Sequence, residues 1–122
     1  MICPLVAAYQ GSVAADDYPI GPIPVNGRVV SFRAANGVTA TGDNTVNLKL
    51  QKATTDLLSS DLVLSAGSPA AKASSTGTLK TDTTVDVVKG DVLTVVATLG
   101  GSTGAYPVDL SLTVRIEVGD GV

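Results

Sequence analysis

One segment constrains this chain more than any other. From Val108 to Val118, the residues Val108, Leu110, Leu112, Val114, Ile116 and Val118 occupy every second position. Asp109, Ser111, Thr113, Arg115 and Glu117 fill the positions between. Side chains that change face with period two belong to a β-strand. One apolar and one polar face mark a strand covered on one side and wet on the other. Such a strand needs a second layer to cover its apolar face.

The same pattern recurs upstream. Val46, Leu48 and Leu50 alternate with Asn47 and Lys49, and Asp61–Ser65 sets Leu62 and Leu64 on one face. Arg28–Ala34 separates Val29, Ser31 and Arg33 from Val30, Phe32 and Ala34. Thr84–Val88 offers Val85 and Val87, and Val92–Leu99 is nearly all apolar. Between these runs lie Asn26-Gly27, Asn36-Gly37, Gly67-Ser68-Pro69, Lys89-Gly90-Asp91 and the loop Gly100–Gly104, with Pro107 at its exit. Such residues accept positive φ or preset a turn. Helical signals are scarce. Thr54–Leu58 has a helix-like composition that does not continue at 3.6 spacing.

Strands at about 8–12-residue spacing, roughly seven or eight in all, predict an all-β chain: an antiparallel, jelly-roll-like β-sandwich. At 122 residues there is enough chain for one core. Its expected members are Val46, Leu48, Leu50, Leu93, Val95, Leu110, Leu112, Val114 and Ile116. Gly67–Thr84 is rich in Ala, Ser, Thr and Gly. A short strand near Thr76–Lys80 is expected there, because structureless loops of that length are uncommon in compact domains.

Residues 1–25 read differently. They hold Pro4, Pro19, Pro22 and Pro24, while only Pro69 and Pro107 occur later. Proline removes a ladder donor and favours extended chain. The division expected is an extended N-terminal arm over 1–25 and a β-sandwich domain over 26–122. In the arm, Ile2, Leu5, Val6, Tyr9, Tyr18, Ile20 and Ile23 are the candidate contact residues toward a partner or a neighbouring subunit. The other course for this segment is to fold back as the first strand of its own sandwich, through Ile20–Val25. Met1–Ala15 is not read as a secretory signal, since the first basic residue is Arg28 and Pro4 and Gln10 interrupt its apolar character.

Composition argues against chemistry. There is no His, the commonest general base and metal ligand. A single Cys, Cys3, excludes an internal disulfide and a multi-thiolate zinc site. Asp16-Asp17 with Asp43 offers too few oxygens, wrongly spaced, for calcium. Ser102-Thr103 has no Lys beside it and no helix after it, so it is no phosphate loop. Lys72, Lys80 and Lys89 lie in polar surroundings that give no Ser a base. Lys89-Gly90-Asp91 reads as a turn rather than a receptor-binding tripeptide. No catalytic, cofactor-binding or metal residue is expected. Eight basic residues spread along an acidic chain do not predict nucleic-acid binding. No apolar run approaches the ~18 residues of a membrane span. Charged residues are 16% of the chain, below the roughly 25% of an ordinary domain. A charge-poor sandwich is expected to hide surface in an oligomer or against a partner.

The succession Asn26-Gly27-Arg28-Val29-Val30, Asn44-Thr45-Val46-Asn47-Leu48, Lys89-Gly90-Asp91-Val92-Leu93, then a glycine-rich loop into Val108–Ile116, resembles small jelly-roll structural proteins of tailed bacteriophages. These are the head decoration, or cement, proteins and related head-fibre and tail domains. The resemblance spans residues 22–118 and has no counterpart for the Pro-rich start. It implies a non-enzymatic homotrimer bound to the major capsid protein on the outer capsid surface of the virion, assembled in the host cytoplasm. Two other classes fit the same composition: a tail receptor-binding module, and an adhesin- or pilus-type subunit outside viruses.

Overall fold

The computed structural model describes residues 1–119, and within them the chain is all-β. Ten strands follow one another: β1 (Ile2–Ser12), β2 (Asp16–Ile20), β3 (Gly27–Val38), β4 (Thr45–Lys52), β5 (Thr55–Asp56), β6 (Leu62–Leu64), β7 (Ser74–Thr76), β8 (Asp86–Val87), β9 (Leu93–Gly100) and β10 (Val108–Val118). One 3₁₀ turn, Thr83–Val85, precedes β8. The count exceeds the expected seven or eight because β1 and β2 join the sandwich and β5, β7 and β8 are only two or three residues long.

Two antiparallel sheets form the layers. The first runs β1-β10-β3, with β7 and β8 both on the far side of β3. The second runs β2-β9-β4, with β5 and β6 both on β4. Strands from opposite ends of the chain therefore pair: β1 with β10, and β2 with β9. This order is a jelly roll, a long hairpin wrapped on itself.

The core lies between the sheets. All nine residues expected there are buried, joined by Phe32, Leu57, Leu64, Val85 and Val87 among others. Leu110, Leu112, Val114 and Ile116 face Leu48, Leu50, Leu93 and Val95 in one apolar cluster. The alternation of β10 thus becomes a buried row and a row of Ser111, Thr113, Arg115 and Glu117 that solvent reaches.

Two local expectations are corrected, and the helix-like stretch Thr54–Leu58, where no helix is expected, takes β form. Asn36-Gly37 is not a turn; β3 runs through it to Val38, because β10 is long enough to pair with Asn36 and Val38. Thr54–Leu58 is not helical: Thr55–Asp56 forms β5, and Leu57 and Leu58 plug the core. The short strand sits at Ser74–Thr76 rather than Thr76–Lys80, where only Leu79 bridges to Leu58.

The separate arm over residues 1–25 is corrected as well. Ile2–Tyr9 pair residue for residue with Glu117–Leu110, and Asp16–Ile20 pair with Ala97–Leu93. The sandwich therefore starts at β1, not at residue 26. Proline is tolerated there because Pro4 and Pro19 lie on strands at the outer ends of the two sheets, where only one edge is hydrogen-bonded.

Leu112→Asp should cost about 3 kcal/mol or more, since it sets an unpaired carboxylate among fully buried aliphatics. Chemical denaturation checks this; a cooperative transition at the unsubstituted midpoint would refute the core placement.

Candidate functional site

The residues proposed for contact divide three ways. Ile20 and Ile23 are 2% and 1% exposed, inside this chain's own core, and are withdrawn as contact residues. The pairing of β2 with β9 turns Ile20 inward opposite Leu93, and Ile23 is held by main-chain bonds with Asp91 and Gly90. Leu5, Tyr9 and Tyr18 are half-buried and pack against the core. Ile2 and Val6 remain exposed, at 48% and 67%. On β1 the exposed row is Ile2, Pro4, Val6, Ala8 and Gln10.

Two tyrosines hold β1 over β2. Their rings meet edge to face, with centroids 4.6 Å apart. The Tyr9 hydroxyl donates to the Pro19 carbonyl at 2.8 Å. The Tyr18 hydroxyl accepts from the Ala14 amide at 3.1 Å and donates to the Ala14 carbonyl at 3.2 Å. Burial, aided by the nearby Tyr18, pushes the Tyr9 phenol above its ordinary pKa. The far end of β1 is fixed by a bulge, where the Gly11 amide donates to Asp109 Oδ1 at 2.9 Å and the Val13 amide to the Pro107 carbonyl at 2.9 Å.

Beside β1, the outer face of its sheet is polar. Arg33, Arg115, Ser74, Ser111 and Thr113 line a shallow depression there. Among the described residues Arg28 pairs with Asp86 at 2.9 Å, half-exposed, an interaction of small energetic weight.

At one end of the sandwich the glycine-rich loop closes on the 41–44 turn. Asp43 Oδ1 accepts from the Thr103 amide at 2.7 Å and from the Ser102 amide and Thr103 hydroxyl at 2.9 Å each. Glycine is required for this approach: Gly104 has φ +97°, and a Cβ there would run into the Thr41 carbonyl oxygen. The donor bonds, the Thr103 amide foremost, pull the Asp43 carboxyl down to about 2. Oδ1 takes three bonds from the loop, so Asp43 serves as an anchor. Among the described residues no group of three His, Cys, Asp or Glu side chains could hold a metal ion. No helix among them is long and apolar enough to cross a membrane.

Sequence reasoning overlooked the strand itself. The signal was present: Cys3, Leu5, Ala7 and Tyr9 recur with period two and turn inward. Apolar Ile2, Val6 and Ala8 at the alternate positions concealed it.

No protein family matches the chain, and no curated protein matches it. One solved structure, described in the words "Bacillus endospore appendages form a novel family of disulfide-linked pili", matches across 97% of this chain and 89% of that chain, at 15% identity and a TM-score of 0.42. A likeness that low bears no functional weight.

Two outcomes are expected. Deleting Met1–Asp17 removes β1 and the start of β2, so near-ultraviolet dichroism should show loss of the cooperative fold; a native-like truncated chain would refute the β1–β10 pairing. Because the folded-state pKa of Asp43 is lowered, its anchor is complete above about pH 4 and is lost as pH falls through about 2. Protection of the Ser102 and Thr103 amides relative to their intrinsic exchange rates should fall over that window, and Asp43→Ala should show the low protection already at pH 5.

Proposed function

We propose that this chain is a non-enzymatic structural subunit of a virus particle, a decoration protein held on the outer surface of a phage head. The observation that carries the reading is β1: eleven residues along an open sheet edge, with Ile2 and Val6 exposed and no charged side chain on it. A free surface of that kind favours a protein whose work is contact. The jelly roll behind it is a stiff platform, and its glycine-laced loop is pinned by Asp43 rather than poised over a pocket. The partners in this reading are the major capsid protein and further copies of the chain; the number three belongs to the phage resemblance.

The test adds purified protein to heads that lack any decoration. Saturable co-sedimentation and a raised temperature of head rupture are expected. Protein that leaves such heads unbound and instead grows into filaments would replace this reading with a pilus-type subunit, because an open edge paired with a different edge of the next copy propagates without closing.

A further inference from the structure

The sheet edges of this molecule are not alike. At the far sides, β5, β7 and β8 are two or three residues long and β6 is three. The edge strand β2 has five residues, two of them Asp16 and Asp17, and a third is Pro19. Short length, charge and proline are the devices that keep edges from pairing with other chains. β1 is long and residues 1–15 contain no charged side chain, so of these devices it carries only Pro4.

Its hydrogen-bond phase can be read directly. In an antiparallel ladder alternate residues turn their main-chain groups to the partner strand and away from it. The Val118 amide donates to the Met1 carbonyl at 2.9 Å. With the register Ile2↔Glu117 through Tyr9↔Leu110, this makes Cys3, Leu5, Ala7 and Tyr9 face β10. Ile2, Pro4, Val6 and Ala8 offer their main-chain groups to the open side. Pro4 thus stands where a missing N–H breaks no bond within the chain.

We propose that β1 pairs antiparallel with β1 of a second copy, about a two-fold axis at Val6. Val6 then lies opposite its own mate, Pro4 opposite Ala8, and Ile2 opposite Gln10. About eight main-chain hydrogen bonds form, two fewer than in a strand without proline. No like charges meet, because the strand has none. On the inner side, half-buried Leu5 and Ala7 come opposite Ala7 and Leu5 of the second copy, which covers the flanks the core leaves open. The two sheets become one continuous sheet by β-augmentation. The pairing deepens the structural reading, on which it rests for treating this edge as a contact surface, and its test uses free protein alone.

In a hydrogen-bonded antiparallel pair the Cα atoms are about 5.5 Å apart, within disulfide range. The double variant Cys3→Ser/Val6→Cys should therefore form a covalent dimer on mild oxidation. Cys3→Ser/Ala8→Cys should not, since Ala8 faces Pro4. Val6→Pro should keep native dichroism and sediment as a monomer at concentrations where the unsubstituted chain is dimeric. The proposal is overturned if the unsubstituted chain stays monomeric at hundreds of micromolar, if both double variants cross-link equally, or if Val6→Pro still dimerises. An unfolded Val6→Pro chain would overturn the phase on which the proposed register rests. Head binding by a chain that remains monomeric would remove this pairing and leave the structural reading standing.

Discussion

The fold depends on strands from opposite ends of the chain finding each other. β10 is the central strand of its sheet, with β1 on one side and β3 on the other. Its four fully buried aliphatics, Leu110, Leu112, Val114 and Ile116, hold one layer to the other. Without β1, the half-buried row of Leu5, Ala7 and Tyr9 is lost and one edge of β10 is left unpaired. Without β9, β2 has no ladder and Ile20 no burial. Local propensity supplies the strands; the long-range pairing makes them a sandwich.

Tyrosine chemistry complements that pairing. β1 and β2 lie in different sheets, so no ladder joins them. Tyr9 and Tyr18 cross the gap with an edge-to-face contact, and each hydroxyl bonds to main chain on or just before β2. Aromatic bodies with polar tips suit such a position, half in the core and half in water. In a chain with so few aromatics, two of the four stand at this corner.

Much of this was legible in the sequence, for a physical reason. Where one face is buried and the other wet, alternation is plain, and Val46–Leu50 and Val108–Val118 declare their strands and core members alike. Legibility fails where both faces are apolar or where a turn signal is overridden. Ile2, Val6 and Ala8 give β1 an apolar outer row, so its period vanishes from view. Asn36-Gly37 favours a turn, yet the partner strand extends past it and keeps it extended. Proline misled over residues 1–25, because its penalty depends on which way the absent N–H would have pointed, and that is set by a strand some hundred positions away. Of the side chains expected to make contacts, Ile2 and Val6 are exposed, while Ile20 and Ile23 serve this chain's own interior.

The pairing of Ile2 with Glu117 also has a temporal side. A ribosome makes β1 well before it makes β10. At roughly 5–20 residues per second, β1 waits on the order of ten seconds for its partner. During that interval a neutral apolar strand lies open among nascent chains, where strand pairing between molecules leads to aggregation. Pro4 then acts as a guard on the unfinished molecule. It denies a stranger one of the amides a β-ladder needs, and it costs the finished fold no hydrogen bond.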